Sequence, residues 1–293
     1  MTSDPTDGVR RSLSALLTNF AMETGDKVLS KIRQHIYYTS NKRCPELYGL
    51  PKIHKEGVPL RPVVSSFNSV TSKLCSYLNT ILRPLTGNRP SFVKNSKDFC
   101  NDIRQLLIAP TDIVVSYDVK DLFTSIPMTH THTQCVRRTP LCRHHPYKQD
   151  EPQSFPYNTA GFFCMREGNY FRCQDKFFSQ TSGAPMGSAL SPILAEIFME
   201  HFEERAFSTA PPSITPRLFK LYVDDIFSIT KAGYEELFLD YLDGMFPQYI
   251  SLTIERETGI LPLYLSSLWM LALCRTDWAG DRSLTGTRVV PDS

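Results

Sequence analysis

Two adjacent aspartates, Asp224 and Asp225, sit inside the apolar run Leu221-Tyr222-Val223-Asp224-Asp225-Ile226-Phe227-Ser228-Ile229. The apolar and aromatic residues on either side read as two short strands, with the acidic pair at the turn between them. A carboxylate removed from water without a partner is costly, so such a pair binds a cation or faces solvent. An isolated Asp-Asp is most often a plain polar turn, because turns favour aspartate. Here a second acidic strand end and a glycine-rich segment lie upstream, and they displace that reading.

The second acidic strand end is Asp112-Ile113-Val114-Val115-Ser116-Tyr117-Asp118-Val119, a β-branched strand that delivers Asp118 near its carboxyl end. The glycine-rich segment runs from Ser182 to Pro192. Gly183, Pro185 and Gly187 make it a loop that a large ligand can approach closely, and Pro192 opens a helix through Ile193, Leu194, Ile197, Phe198 and Phe202. A plain helix-entry loop is the ordinary alternative.

Upstream, helical spacing of Leu13, Leu16, Leu17 and Phe20, and of Val28, Ile32, His35 and Ile36, predicts two helices. Gly49 and Pro51 forbid a long helix over 47–55, so an extended segment, a turn at Glu56-Gly57 and a strand over 60–65 follow. Lys52, Lys55 and Arg61 would project from this ribbon, a geometry suited to gripping phosphates, or simply form a basic surface hairpin. A helix over 69–85 carries Val70, Leu74, Leu78 and Leu82 inward, with Ser69 as its cap. Another starts at Ser96 with Phe99, Ile103, Leu106 and Leu107 inward. Tyr170–Cys173 and Lys176–Gln180 form a hairpin. Past the Asp-Asp turn come a helix (Leu237, Phe238, Tyr241, Leu242, Met245) and a strand at Ile250, Leu252 and Ile254.

Residues 128–157 break the pattern and read as an irregular, insertion-like loop. They hold Cys135, Cys142, His130, His132, His144 and His145, but at no zinc-binding spacing. The eight cysteines contain no C-x-x-C and read as free thiols in a reducing compartment. A polar Met1–Arg11 argues against a secretory signal, and no apolar run approaches the ~20 residues of a membrane span, so the expectation is an intracellular protein without membrane contact.

Charge is uneven. Residues 1–110 carry 16 Lys and Arg against 8 Asp and Glu, and the remainder carries 16 against 22. A basic half beside an acidic half suits a polyanion partner for the first and a metal for the second. Nucleotidyl transfer needs carboxylates that hold two metal ions about 3.5–4 Å apart. Mg²⁺ prefers oxygen and takes few carboxylates plus substrate phosphates.

The order of these segments resembles the reverse transcriptases, specifically those of Penelope-like retroelements. Leu50-Pro51-Lys52-Ile53-His54-Lys55, Arg61-Pro62-Val63-Val64-Ser65, Tyr117 to Pro127, Gly183 to Pro192 and Tyr222-Val223-Asp224-Asp225 carry the resemblance. It implies an α+β right-hand polymerase fold, with an antiparallel palm sheet flanked by helices. Residues 1–110 would be the basic N-terminal and fingers region, 111–262 the palm, and 263–293 a degenerate tail where a thumb is missing or degenerate.

The implied activity is RNA-directed DNA polymerisation from dNTPs on an RNA template and DNA primer, with two Mg²⁺ ions or Mn²⁺ in their place. Asp118, Asp224 and Asp225 would be catalytic, and Asp118, Asp224 and the Val119 carbonyl would hold metal. Lys52, Lys55, Arg61, Phe123, Gly183, Met186 and Gly187 would bind nucleotide, with Phe123 excluding a 2′-hydroxyl. Lys52, Lys55 and Tyr222 would touch nucleic acid. The resemblance also implies a nuclear location and leaves protein partners open. Three alternatives stand beside it: an RNA-dependent RNA polymerase, an inactive retroelement remnant that only binds nucleic acid, and a structural or interaction protein with chance motifs.

Overall fold

The computed structural model describes residues 3–39, 41–53, 57–104, 106–138 and 156–256. The chain opens with α1 (Thr6–Thr24) and α2 (Lys27–Tyr38), which bury Leu13, Leu17 and Phe20 against Leu29, Ile32 and Ile36. Gly25 ends α1 in the left-handed conformation, and the Asp26 carboxylate caps α2 by accepting from the Val28 and Leu29 amides. Ile32 and Ile36 face inward on α2 as expected, but Leu29 is buried in place of Val28, which is exposed.

A first sheet has the order β2-β1-β4-β5, from β1 (Glu46–Pro51), β2 (Leu60–Ser65), β4 (Tyr170–Cys173) and β5 (Lys176–Ser179). The basic ribbon expected at 47–65 is its β1–β2 hairpin, in register from Glu46↔Ser65 to Pro51↔Leu60. The other two strands come from far downstream.

The second sheet has the order β6-β7-β3-β8 and is antiparallel throughout, from β3 (Asp112–Val119), β6 (Leu218–Tyr222), β7 (Asp225–Lys231) and β8 (Leu252–Arg256). Alternation along β3 splits its side chains between two cores. Val115, Tyr117 and Val119 join the main core with α3 (Ser72–Leu82), α8 (Ser191–Thr209) and α9 (Glu235–Asp243). Val114 joins Phe227 and Ile229 of β7 under Phe99 and Ile103 of α4 (Ser96–Arg104). Burying each such side chain contributes about 1.5–3 kcal/mol.

The structure departs from the sequence expectation at several places. α3 starts at Ser72 and Ser69 does not cap it; the Ser69 amide instead closes a turn onto the Ser66 carbonyl, after Asn68 at positive φ. α4 ends at Arg104, so Leu107 lies past it and is exposed, as is Leu237 on α9. The last strand begins at Leu252, two residues later than expected.

The largest correction concerns the loop read over 128–157. Met128–Arg138 is a helix, α6, whose inward face is Thr131, Gln134 and Cys135. An inward face of polar residues gives no apolar period to detect. The Thr131 hydroxyl donates to the Pro127 carbonyl, and Arg138 pairs with Glu200 of α8. A further helix, α7 (Pro156–Met165), was not expected, since Asn158, Thr159 and Gly161 are poor helix formers. The remainder of that stretch, with Cys142, His144 and His145, and the tail 263–293 lie outside the described residues.

Candidate active site

The register of β3 against β7 sets Asp118 directly opposite Asp225. Such residues share a sheet face, with Cβ atoms about 4.5–5.5 Å apart, and like charges so placed repel. Both carboxylates continue the row of Val114 and Ser116 on β3 and of Ile229 and Phe227 on β7. Asp224 occupies the turn between β6 and β7, where its carbonyl accepts from the Val119 amide at 3.3 Å. Three aspartates, one of them more than a hundred residues upstream of the other two, therefore stand at one sheet end.

The turn is strained. Val223 has φ 57°, a region that β-branched residues rarely adopt. Positive φ at the first of two central turn residues is the type II′ pattern normally given to glycine, and holding valine there costs on the order of 1–3 kcal/mol. The strain is offset by packing on both sides: Val223 lies against the main core, and Tyr222 lies against the α4 core. Tyr222 is thus partly committed to structure.

Burial pushes the half-buried Asp224 carboxyl above the usual carboxylate range, and the Asp118 charge adds to the rise. A backbone amide and the charges of Arg61 and Lys52 pull it back down. The basic β1–β2 hairpin therefore faces the acidic sheet end. The Lys52 ammonium also lies 3.9 Å from the Asp121 carboxylate, bridging the two sheets. Asp121 had no expected role, although aspartate tolerates the left-handed conformation (φ 47°) that it adopts just before α5 (Leu122–Ser125). Lys55 lies outside the described residues.

The glycine loop is accounted for by the protein's own backbone. A Cβ on Gly183 would stand 2.4 Å from the Thr124 carbonyl oxygen and 2.6 Å from that of Phe123. On Gly187 it would stand 2.4 Å from the Val64 oxygen. The Ala184 amide donates to Phe123 at 2.6 Å, the Val64 amide to Met186 at 2.7 Å, and the Ser66 hydroxyl to Gly187 at 2.7 Å. The loop is therefore the bracket that joins β2 to the turn carrying Phe123. Half-buried Phe123 packs against the main core beside it.

Cysteines and histidines do not assemble into a second centre among the described residues. Burial raises Cys135 to about 12, which keeps it a thiol. The His132 ring bonds the Asn158 carbonyl, and His130 packs on Phe246 and Tyr249. Cys44, Cys75, Cys135, Cys164 and Cys173 form no disulfide among the described residues.

Among the described residues, no three or more His, Cys, Asp or Glu side chains are close enough to hold a metal ion unaided. Mg²⁺ binds through one or two carboxylates and completes its shell with water and substrate phosphate. Oxygen donors, mutual repulsion and the raised Asp224 pKa all fit a hard cation at this place.

The family model for reverse transcriptase (RNA-dependent DNA polymerase) matches residues 53–246. No curated protein matches the sequence closely enough to count as a relative. Among solved structures, the fold is similar to a telomerase from Candida albicans in complex with a TWJ fragment of telomeric RNA. The TM-score is 0.53, with 12% identity over 75% of this chain and 44% of that one. A telomerase from Candida tropicalis, also in complex with a TWJ fragment of telomeric RNA, scores 0.51 at 11% identity, over 74% and 41%. Its apo form truncated from the C-terminal domain scores 0.50 at 10% identity, over 73% and 50%. This chain thus spans half or less of the telomerase chains, and identities this low speak to the fold alone. That fold is the α+β right-hand polymerase fold, with an antiparallel palm sheet flanked by helices. The family model takes in β2, Asp118, the glycine bracket and the acidic hairpin in one continuous stretch of more than half the sequence, and the chain belongs to the reverse transcriptase (RNA-dependent DNA polymerase) family.

Proposed function

We propose that this chain carries out RNA-directed DNA polymerisation, adding dNTPs to a primer 3′-hydroxyl on an RNA template. The observation that carries the reading is the meeting of Asp118, Asp225 and Asp224 at one sheet end, opposite Lys52 and Arg61. Asp118 and Asp224 would hold Mg²⁺, with Asp225 and the Val119 carbonyl in support. The bound cation would activate the primer hydroxyl and neutralise charge on the triphosphate. The residues of the chain do the rest. Arg61 and Lys52 orient the triphosphate from the fingers. Phe123 closes the space beside the sugar against a 2′-hydroxyl, and Gly183, Met186 and Gly187 support the nucleotide from the bracket. Tyr222 and Lys52 touch nucleic acid.

Residues 1–110 serve as the basic N-terminal and fingers region, 111–262 as the palm, and 263–293 as a tail. The ordered motifs from Leu50 to Asp225 support placement with the Penelope-like retroelements, which carries with it a nuclear site of action. No helix among the described residues is long and apolar enough to cross a membrane.

Extension of a DNA primer on an RNA template, with dNTPs and Mg²⁺, tests the reading against Asp224→Asn. Extension abolished by the substitution is the expected result. Binding of primer–template with no extension above that of Asp224→Asn would instead identify a remnant that only binds nucleic acid.

A further inference from the structure

A second cationic place lies on residues that the acidic centre does not use. At the end of α2, Lys42 Nζ stands 3.1 Å from His35 Nε2. An ammonium can only donate, so His35 Nε2 accepts and the Nδ1 proton is turned to the Thr39 hydroxyl, 3.3 Å away. Lys73 is exposed on the first turn of α3. The segment carrying Lys42 is tied to the approach of α3, because the Arg43 amide donates to the Asn68 carbonyl and the Asn68 side chain to that of Asn41. Burial lowers the pKa of Lys42 and of His35, and the charge of Lys73 lowers both further. An anion brought here would relieve that repulsion.

Tyr38 lies three residues on from His35, on the same side of α2, and Tyr37 packs against it. Tyr37 is 68% and Tyr38 80% exposed, edge to face at 5.0 Å. Side chains this large, both open to water at a helix end, contribute little to packing. An open groove of about 460 Å³ continues from Tyr37 between α1 and the end of α2, with Arg10, Arg11 and a single carboxylate, Asp7, on its walls. Arg10 is committed to the Ile36 and Tyr37 carbonyls, whereas Arg11 is exposed.

We propose that this face holds single-stranded RNA, with bases stacked on Tyr37 and Tyr38 and phosphates taken by Lys42, Lys73 and Arg11. Interleaved rings and cations are the chemistry of single-strand binding, since every base offers a face to an aromatic ring and every linkage a charge. The proposal rests on the reading of this chain as a nucleic-acid polymerase and adds a contact that would retain template away from the reacting atoms.

The test is equilibrium binding of single-stranded oligouridine RNA to the full chain across a salt series, with primer extension read in parallel. Each phosphate contact on a single strand contributes about 0.7 to the slope of log affinity against log salt. Lys42→Ala with Lys73→Ala should therefore lower the slope by about 1.4. Tyr37→Ala with Tyr38→Ala should weaken binding about fivefold or more and leave the slope unchanged. All four side chains are outside the buried core, and a circular dichroism spectrum confirms folding. Unchanged affinity and slope in both double variants overturns the proposal. So does loss of all oligouridine binding in Lys52→Ala with Arg61→Ala, or competition by polyglutamate equal to that by RNA, which would point to an acidic protein partner. Intact extension without any RNA effect overturns this inference alone. Absent extension with the RNA effect intact overturns the catalytic reading alone.

Discussion

Substituting Gly183 by alanine tests whether the glycine loop is a bracket built on the protein's own backbone. The added Cβ would lie 2.4 Å from the Thr124 oxygen, 2.5 Å from its carbonyl carbon and 2.6 Å from the Phe123 oxygen. Ordinary contact begins near 3.4 Å, so the turn must retreat by close to 1 Å, and none of the three atoms is a flexible side-chain end. Overpacking of this kind costs about 1–3 kcal/mol. Retreat also breaks the bond from the buried Ala184 amide to Phe123, and an unsatisfied amide costs about 1–3 kcal/mol. Positive φ adds about 1–2 kcal/mol for any residue with a Cβ.

Gly25 is the matched control. Its φ is 65° against 68° for Gly183, and an added Cβ there would meet nothing within 4 Å. Gly25→Ala pays only the conformational cost, partly offset by a stiffer unfolded chain. Urea unfolding of both variants at constant slope should therefore place Gly183→Ala about 2–6 kcal/mol below Gly25→Ala. The gap corresponds to a midpoint lower by roughly 2–4 °C for each kcal/mol on heating. Agreement of the two variants within about 0.5 kcal/mol would refute the backbone contact and return the loop to a role in ligand approach.

Phe123→Ala should reduce discrimination against ribonucleotides by about tenfold or more, while Phe123→Tyr preserves it. Unchanged discrimination in single-nucleotide insertion would remove Phe123 from the sugar. Lys52→Met should leave the urea midpoint within about 0.5 kcal/mol of wild type, because its 3.9 Å partner Asp121 is 70% exposed. The same substitution should raise the KM for dNTP, and a stability loss with unchanged KM would make Lys52 structural. Glu203 offers a pH test: burial raises its pKa, against the Ser91 hydroxyl and Arg89 that favour its charge. A raised carboxyl pKa means that the folded state binds the proton more tightly. Its contribution is therefore present below the ordinary carboxylate range and lost as pH rises through the raised value. Glu203→Gln should flatten that fall in melting temperature, and an unaltered pH profile would show that Glu203 is not its source.

The acidic strand ends were legible because strand signals are local. β-Branched residues at alternate positions reveal β3 around Asp118, and apolar runs on both sides of Asp224-Asp225 reveal a hairpin. Helices with apolar faces, such as α3 and α8, were legible for the same reason. α6 was not, because its inward residues Thr131, Gln134 and Cys135 give no apolar period, and its partners on α8, His201 for Gln134 and Glu200 for Arg138, are distant in sequence. Nor does periodicity reveal that the glycines are spent on the backbones of Val64, Phe123 and Thr124, since a glycine looks alike whether ligand or chain comes close. The sequence by itself determined which carboxylates end which strands. Only the tertiary structure set Asp118 opposite Asp225 and brought the fingers cations over Asp224, because register and long-range charge depend on how distant segments pack.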